Sequence, residues 1–403
     1  MLTFNKRIDN SLVYPIYQPY NINEIIYFDI ETTGFSPKTS IVYLIGCMYH
    51  HQDSWYITQW LLDDPKEEEN LLLKFADKVR TYKRIIHYNG SGFDIPYLVD
   101  KYNNYKIDHP FSSLDSFDLY KNIIPYKKLF PFPNLKLQTL QNYLGFIRKD
   151  KQSGGQLINV YSQYIGKLKL DKLRNNNKSS YEIPPSTKDL QDILLLHNYD
   201  DVVGMLEATS ILLLVDIFKK GLKLDDILEI SKEINETNIL LRLKLNKAFP
   251  YKLDIPLDFN NDGKIGSDYK SNENDNSGNT YNIQLKGEYI NITCPLVKGK
   301  LKYFFDNYKD YYYLPLEDSV IHKSLATYVD KEYRIKAKPS NCYTTLDSVF
   351  IPVSKSNIFK ENDIKTFKTD FKSATSYVEL ANIISSKENI ILWCNSLLKG
   401  GKL

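Results

Sequence analysis

The sequence predicts an α/β unit, a mixed sheet with flanking helices, followed by a β-rich α+β unit. Three observations carry that expectation. An apolar, β-prone run at Ile25–Phe28 ends in two acids spaced two apart, Asp29 and Glu31. From there to about residue 223, strand-like and helix-like spacings follow one another, with three strands ahead of the first helix. Beyond about residue 236 the apolar residues recur at every second position.

Residues 1–22 precede these elements as an N-terminal extension, and residues 23–223 make up the first domain. Ile25–Ile30 reads as a strand buried on both faces, because its first four residues are all apolar or aromatic. Ile41–Tyr49 and Trp55–Leu62 follow as strands, and the short loops between the three suit an antiparallel meander. Pro65 opens a helix whose acidic first turn (Glu67, Glu68, Glu69) complements the helix dipole. Leu71, Leu72, Phe75 and Val79 carry its apolar stripe. Arg84–Tyr88 is the fourth strand, Asp94–Tyr105 the second helix and Ser116–Tyr120 the fifth strand. A short helix spans Leu135–Leu144, and Thr187 is expected to cap a long one from Lys188 to about Lys219.

Residues 224–236 are expected to form a helical linker. The second domain, 237–403, alternates apolar and polar residues: Leu241, Leu243 and Leu245 with Arg242, Lys244 and Asn246, then Tyr281, Ile283 and Leu285 in the same manner. One helix is expected around Glu317–Glu332 and two short ones after Ser376. The polar stretch 260–279, rich in Asn, Gly and Ser, is expected to be a flexible insertion in a hairpin. Within DFNNDGKIGSDY (Asp258 to Tyr269), Asp258, Asn260, Asp262 and Gly263 fall in calcium-loop register. The twelfth position is Tyr269 rather than a bidentate Glu, so an ordinary turn is expected.

Composition narrows the function classes. At 403 residues with 42% hydrophobic and 25% charged, the chain is ordinary globular material of two or three domains. Lys and Arg total 52 against 49 Asp and Glu, so the net charge of +3 carries no basic signature. The four cysteines (47, 294, 342, 394) are too scattered for a CxxC metal site or a disulfide framework, which suits a reducing compartment. The first twenty residues lack the apolar core of a signal peptide, and no apolar run approaches a membrane span. A cytoplasmic protein without membrane attachment is expected.

The chemistry concentrates in three short segments. Side chains two apart on a strand face the same way, so Asp29 and Glu31 present paired carboxylates at a buried strand end. Like charges there repel and resist desolvation, a conflict that a hard divalent cation bound through oxygen resolves. Thr32-Thr33-Gly34 then breaks the strand and frees backbone N–H groups. In HYNGSGFDIPYL (His87 to Leu98), Gly90 and Gly92 are expected to turn the chain tightly and bring Asp94 to a helix start near that strand end. In LLLHNYDDVVGM (Leu194 to Met205), His197 and Asp201 share a helix face with Leu190, Leu194, Met205 and Ala208, and so point inward. Asp200 lies about 100° around the helix and is expected behind the site or in solvent. Asp118 is expected to support the fold.

Taken in order, D-x-E (Asp29, Glu31), YNGxxFD (Asp94) and HNxxD (His197, Asp201) resemble the four-carboxylate (DEDD) exonuclease superfamily with the ribonuclease H-like fold, and within it the YprB-like branch. The resemblance covers about Ile25 to Phe218, half the chain. The order of three strands, then helix, strand, helix, strand, helix agrees with it. It implies a metal-dependent 3′–5′ exonuclease that hydrolyses phosphodiester bonds of DNA or RNA, with a single-stranded 3′ end as its nucleic-acid partner. Two divalent cations, Mg²⁺ or Mn²⁺, are then expected on Asp29, Glu31, Asp94 and Asp201, with Asp29 bridging both. His197 is expected to orient or deprotonate the attacking water. Thr32, Gly34 and Asn89 are expected to touch the terminal nucleotide. The sequence departs from the superfamily at one point: His197 has three residues between it and the Asp, the spacing at which other branches carry Tyr. Two alternatives stand beside this reading, a nucleic-acid-binding scaffold of the same fold with little catalysis and a structure-specific endonuclease. Retention of all four carboxylates weighs against the scaffold.

Overall fold

A computed structural model describes residues 1–9, 11–130, 132–174, 185–259, 265–266, 280–353 and 356–398. The chain divides into two compact units, Met1–Pro125 with Phe132–Leu213, and Tyr126–Pro131 with Leu214–Leu403.

The first unit is built on a six-stranded mixed sheet. Its strands are β1 (Leu2–Ile8), β2 (Ile25–Thr32), β3 (Val42–His51), β4 (Ser54–Leu61), β5 (Arg84–His87) and β6 (Asp115–Asp118), ordered β1-β4-β3-β2-β5-β6. The expected meander is present: β4 pairs antiparallel with β1 and β3, and β3 with β2. Helices α1 (Glu68–Val79) and α2 (Asp94–Tyr105) lead into β5 and β6, which extend the sheet in parallel. Flanked on both sides, β2 buries Ile25, Ile26, Tyr27 and Phe28 completely. Ile26 and Phe28 join a core that includes Leu71, Phe75 and Val79 of α1, and Leu98 and Tyr102 of α2. Further along come α3 (Leu119–Ile123), α4 (Leu137–Tyr143), α5 (Gly154–Arg174) and α6 (Thr187–Ala208).

Three features of this unit differ from expectation. Residues 2–8 are not an extension outside the domain but its edge strand, covering the ladder groups that β4 would otherwise expose. Polar Asn5, Lys6 and Arg7 interrupt the alternation that would have marked that strand. Helix α5 has no counterpart among the expected elements. It starts on two glycines, and two of the three buried residues of its stripe, Tyr161 and Tyr164 beside Leu157, are tyrosines rather than aliphatic residues. The long helix is interrupted: Ser186, not Thr187, caps α6 in a reciprocal box with Asp189, and α6 ends at Ala208. A tighter turn at Thr209–Ile211 then leads into α7 (Leu212–Lys220). The Thr209 and Ser210 hydroxyls donate to the carbonyls of Leu206 and Glu207, competing there with regular helix bonding.

The second unit is β-rich, as its alternation requires. One sheet has the order β10-β8-β7, from β7 (Ile227–Ile234), β8 (Asn238–Phe259) and β10 (Thr280–Pro295), with β9 (Ile265–Gly266) against β8. A second, ordered β11-β15-β17-β16, combines β11 (Val297–Phe304), β15 (Tyr343–Val353), β16 (Thr366–Phe367) and β17 (Ser376–Glu379). The third is ordered β13-β12-β14, from β12 (Tyr311–Leu314), β13 (Ser319–His322) and β14 (Ile335–Lys336). Helices α8 (Ser356–Lys360), α9 (Leu380–Ile384) and α10 (Lys387–Leu398) complete it, the last two matching the pair expected after Ser376.

The expected helical linker 224–236 is instead largely strand β7. Its isoleucines, at 227, 230 and 234, mimic helical spacing because a bulge between Ile227 and Glu229 adds a residue. Ile227 and Ile230 therefore face Leu245 and Leu243, which lie on one side of β8. Asn235 closes the hairpin, its side chain accepting from the N–H groups of Thr237 and Asn238. The helix expected around Glu317–Glu332 is also absent; β13 and two short turns at Ala326–Tyr328 and Lys331–Tyr333 occupy that stretch. The expected insertion 260–279, with most of the calcium-like stretch, lies outside the described residues apart from Ile265–Gly266. Among the described residues, no helix is long and apolar enough to cross a membrane.

Candidate active site

The C-terminal half of strand β2 carries Asp29 and Glu31, paired with β3 and beyond Tyr27, the last residue that β2 pairs with β5. Directly across from Asp29 on β3 stands Gly46. A Cβ there would lie 2.0 Å from Oδ1 of Asn198, so the glycine is what lets helix α6 settle onto this part of the sheet. Asn198 is fully buried, and its Nδ2 donates to Asp29 Oδ2 at 3.0 Å. Its Oδ1 accepts from Gln59 of β4 at 2.9 Å. One amide thus ties the helix to two strands and orients the first carboxylate.

Asp94 is the first residue of α2, and its carboxylate reaches back to accept from the N–H of Ile30 on β2. The turn that delivers it differs in detail from expectation. Asn89 takes the left-handed conformation, at φ 59°, while Gly90 is required because a Cβ would come within 2.7 Å of the His87 ring. Asp118 holds the turn by accepting from the N–H groups of Asn89 and Ser91, and it caps α3 through Lys121. On α6, His197 Nε2 lies 3.2 Å from Asp201 Oδ2 and 3.8 Å from Glu31 Oε1. Glu31, His197 and Asp201 each offer a ligand atom within 4.8 Å of the others.

The electrostatics show unmet negative charge. Burial raises Asp29 well above the usual carboxylate range, and the charges of Glu31, Asp201 and Asp94 add to it. Burial likewise pushes Glu31 up to about 8, against the attraction of His197. Asp94 rises to about 7, again through burial first, although two backbone N–H groups pull it down. Asp201 is the exception: His197 and Arg148 outweigh its burial and lower it. Burial opposes charge on His197, but its bond to Asp201 and the charges of Glu31, Asp201 and Asp150 raise it to about 9. Each of the four carboxylates retains partial exposure, so solvent reaches the cluster.

Residues 26–210 match the model of the RNase H superfamily. They form an RNase H superfamily domain. Among solved structures, a family B DNA polymerase from Pyrobaculum calidifontis is 16% identical, with a TM-score of 0.34, over 58% of this chain and 34% of that one. E. coli exonuclease I in complex with a dT13 oligonucleotide is 15% identical, with a TM-score of 0.25, over 38% of this chain and 40% of that one. This chain therefore spans well under half the length of either, and at such scores neither likeness carries weight. No curated protein matches the sequence.

Within the RNase H superfamily domain, the residues expected at the terminal nucleotide have local partners. The Thr32 hydroxyl donates to the Gly34 carbonyl inside the turn that follows β2, and the Asn89 N–H is held by Asp118. Beside them stands an aromatic that motif spacing does not single out: Phe35 is 89% exposed and meets Phe93 edge-on at 6.1 Å.

Further residues went unrecognised in the sequence. Asp150 Oδ2 lies 2.7 Å from His197 Nδ1, and Arg148 pairs with both Asp201 and Asp150. Asp200, expected behind the site or in solvent, is buried and accepts from the N–H groups of Lys149 and Asp150 at 2.7 and 2.8 Å. It stands behind the site and carries the segment that holds Arg148 and Asp150. The available signal was the R-K-D tripeptide at 148–150, which has neither motif spacing nor a periodic element around it.

Proposed function

We propose that the RNase H superfamily domain is a metal-dependent nuclease, a 3′–5′ exonuclease that hydrolyses phosphodiester bonds of DNA or RNA. The observation that carries this reading is the gathering of Asp29, Glu31, Asp94 and Asp201, from three separate segments, with three of the four held above their ordinary pKa by burial and mutual repulsion. A fold that needed only stability would have little use for such a cluster.

The donor set fits hard divalent cations, which favour several carboxylate oxygens and supply the positive charge that Asp29, Glu31 and Asp94 lack. These three and Asp201 would hold two ions, Mg²⁺ or Mn²⁺. When bound, such ions lower the pKa of a coordinated water and stabilise charge on the leaving oxygen. The chain supplies the rest. Asn198 fixes the direction of the Asp29 carboxylate, and the Ile30 N–H that of Asp94. His197 Nε2 faces Glu31 and Asp201 and is the atom that would take the proton of the attacking water. Of the three carboxylates that lift His197 to about 9, Glu31 and Asp201 are proposed to be neutralised by the ions, which makes the ring a better base in the compensated site. Phe35, exposed on the turn after β2 and edge-on to Phe93, the residue before Asp94, offers a face on which a terminal base would stack.

The test is to incubate the full chain with 5′-labelled single-stranded DNA and RNA in Mg²⁺, Mn²⁺ or EDTA. A ladder of labelled products that shortens from the 3′ end with metal, and not in EDTA, is expected. Internal cuts as the first products would replace the exonuclease reading with an endonuclease, and intact strands throughout would remove the nuclease reading.

A further inference from the structure

His197 has two ring nitrogens, and only one of them faces the carboxylate cluster. The other, Nδ1, lies 2.7 Å from Oδ2 of Asp150, whose side chain is 3% exposed. A carboxylate buried that deeply needs partners of its own, and Asp150 has them. Its Oδ1 accepts from the Gln152 N–H at 3.0 Å, and its Oδ2 lies 3.3 Å from Arg148 Nη2. Its backbone is pinned as well: the N–H groups of Lys149 and Asp150 both donate to Asp200 Oδ2 on α6. Arg148 Nη1 donates to Gln141 Oε1 at 2.9 Å, and Gln141 Nε2 to the Asp200 carbonyl at 2.9 Å. The segment around Asp150 is thus fastened to α6 within one helical turn of the histidine it touches.

We propose that Asp150 is a positioning residue for His197. By accepting the Nδ1–H it fixes the ring orientation and keeps the proton on Nδ1, so that the Nε2 lone pair is directed at the cluster. Asp200, through the Lys149 and Asp150 N–H groups, and Arg148, through its guanidinium, hold Asp150 to that task. A neutral imidazole otherwise has two tautomers and two ring orientations, half of which aim a donor where an acceptor is needed. A carboxylate on the far nitrogen removes the ambiguity, and loss of such a partner typically costs about 10- to 100-fold. The proposal rests on the reading of His197 as the group that acts on water.

The test combines one spectroscopic and one kinetic readout on the full chain. In metal-free protein labelled with ¹⁵N-histidine, the His197 Nδ1–H signal, assigned with His197→Gln, is expected downfield and slow to exchange. Asp150→Ala should remove that signal while leaving the buried His87 unchanged. Asp150→Asn, isosteric and still able to bond Gln152, should shift it, because a charge-assisted bond becomes neutral at best. In the metal-loaded protein, turnover of a labelled single strand should fall by about 10- to 100-fold in either variant, with KM little changed. Adding Asp150→Ala to His197→Ala should cost nothing more. A His197 signal indifferent to both Asp150 variants, or losses that multiply in the double variant, would overturn the assignment. An inactive wild type would overturn the nuclease reading instead, since the resonance is read without metal or substrate.

Discussion

Glu31→Gln is expected to stabilise the metal-free protein, although it removes an acidic group that sits near a histidine. Burial, only partly offset by His197, lifts Glu31 from 4.5 to about 8. At pH 7 the folded chain therefore holds a proton that the unfolded chain has released. At about 1.4 kcal/mol for each pH unit between 4.5 and 7, the residue costs the fold about 3 kcal/mol. Glutamine keeps the shape and removes that cost. For a unit of roughly 200 residues this amounts to a rise in Tm of about 6–12 °C. The sign has a pH signature. Because the folded pKa exceeds the unfolded one, the folded state binds more protons across the window, and metal-free stability falls as pH rises from 4.5 to about 8. Asp94, raised from 3.8 to about 7, acts in the same direction. So does His197, raised from 6.5 to about 9, whose contribution is complete below 6.5 and lost through 9. Scanning calorimetry in EDTA at pH 5 and pH 7 reads the effect: the Gln advantage should be large at pH 7 and shrink to under about 1 kcal/mol at pH 5. Mn²⁺ should then raise the wild-type Tm more than that of the variant. A Glu31→Gln protein that melts below wild type in EDTA at pH 7 would refute the picture of uncompensated charge.

Three further outcomes follow from particular contacts. Gly46→Ala drives a methyl into Asn198 and should destabilise the fold by about 1–3 kcal/mol; a Tm within about 1 °C of wild type would show that α6 does not seat as closely as described. His197→Ala should lower turnover by about 10²-fold or more at saturating metal with Mn²⁺ affinity little changed, and unchanged turnover would exclude it as the proton acceptor. Asp200→Ala should reduce thermal stability and turnover together, whereas Asp200→Asn, whose carbonyl oxygen still accepts from Lys149 and Asp150, should lose much less; equal losses would mean that the negative charge, not the acceptor, matters.

Much of the first unit was legible because its signals are local. Ile25–Phe28 has no polar residue to accommodate, so a doubly buried strand follows, and α2 begins at Asp94 as its spacing requires. The candidate cluster was legible for a similar reason: two acids at the end of such a strand have few explanations other than a ligand. What stayed hidden depends on partners distant in sequence. Strand β1 is defined by the edge of β4, and the isoleucines of β7 imitate a helix because a bulge sets their phase. Of the two places expected for Asp200, behind the site or in solvent, spacing on α6 alone does not choose. The packing of that helix decides it: the sheet lies on one side and α4 and α5 on the other, which leaves Asn198, Asp200 and Val202 all buried. Arg148 and Asp150 carry no periodicity at all. Only the fold brings them to His197, 47 residues from Asp150 along the chain.

The central claim, that the four carboxylates gather divalent ions for hydrolysis, is tested most directly by one paired titration. Mn²⁺ is added stepwise to metal-free wild-type protein and to Asp29→Asn, and bound metal and hydrolysis of a 5′-labelled single strand are followed in the same samples. Wild-type hydrolysis should rise with occupancy and vanish on EDTA addition. Asp29→Asn should remain folded, bind Mn²⁺ weakly and leave the strand intact. Hydrolysis that persists in EDTA, or an Asp29→Asn protein as active as wild type, would contradict it.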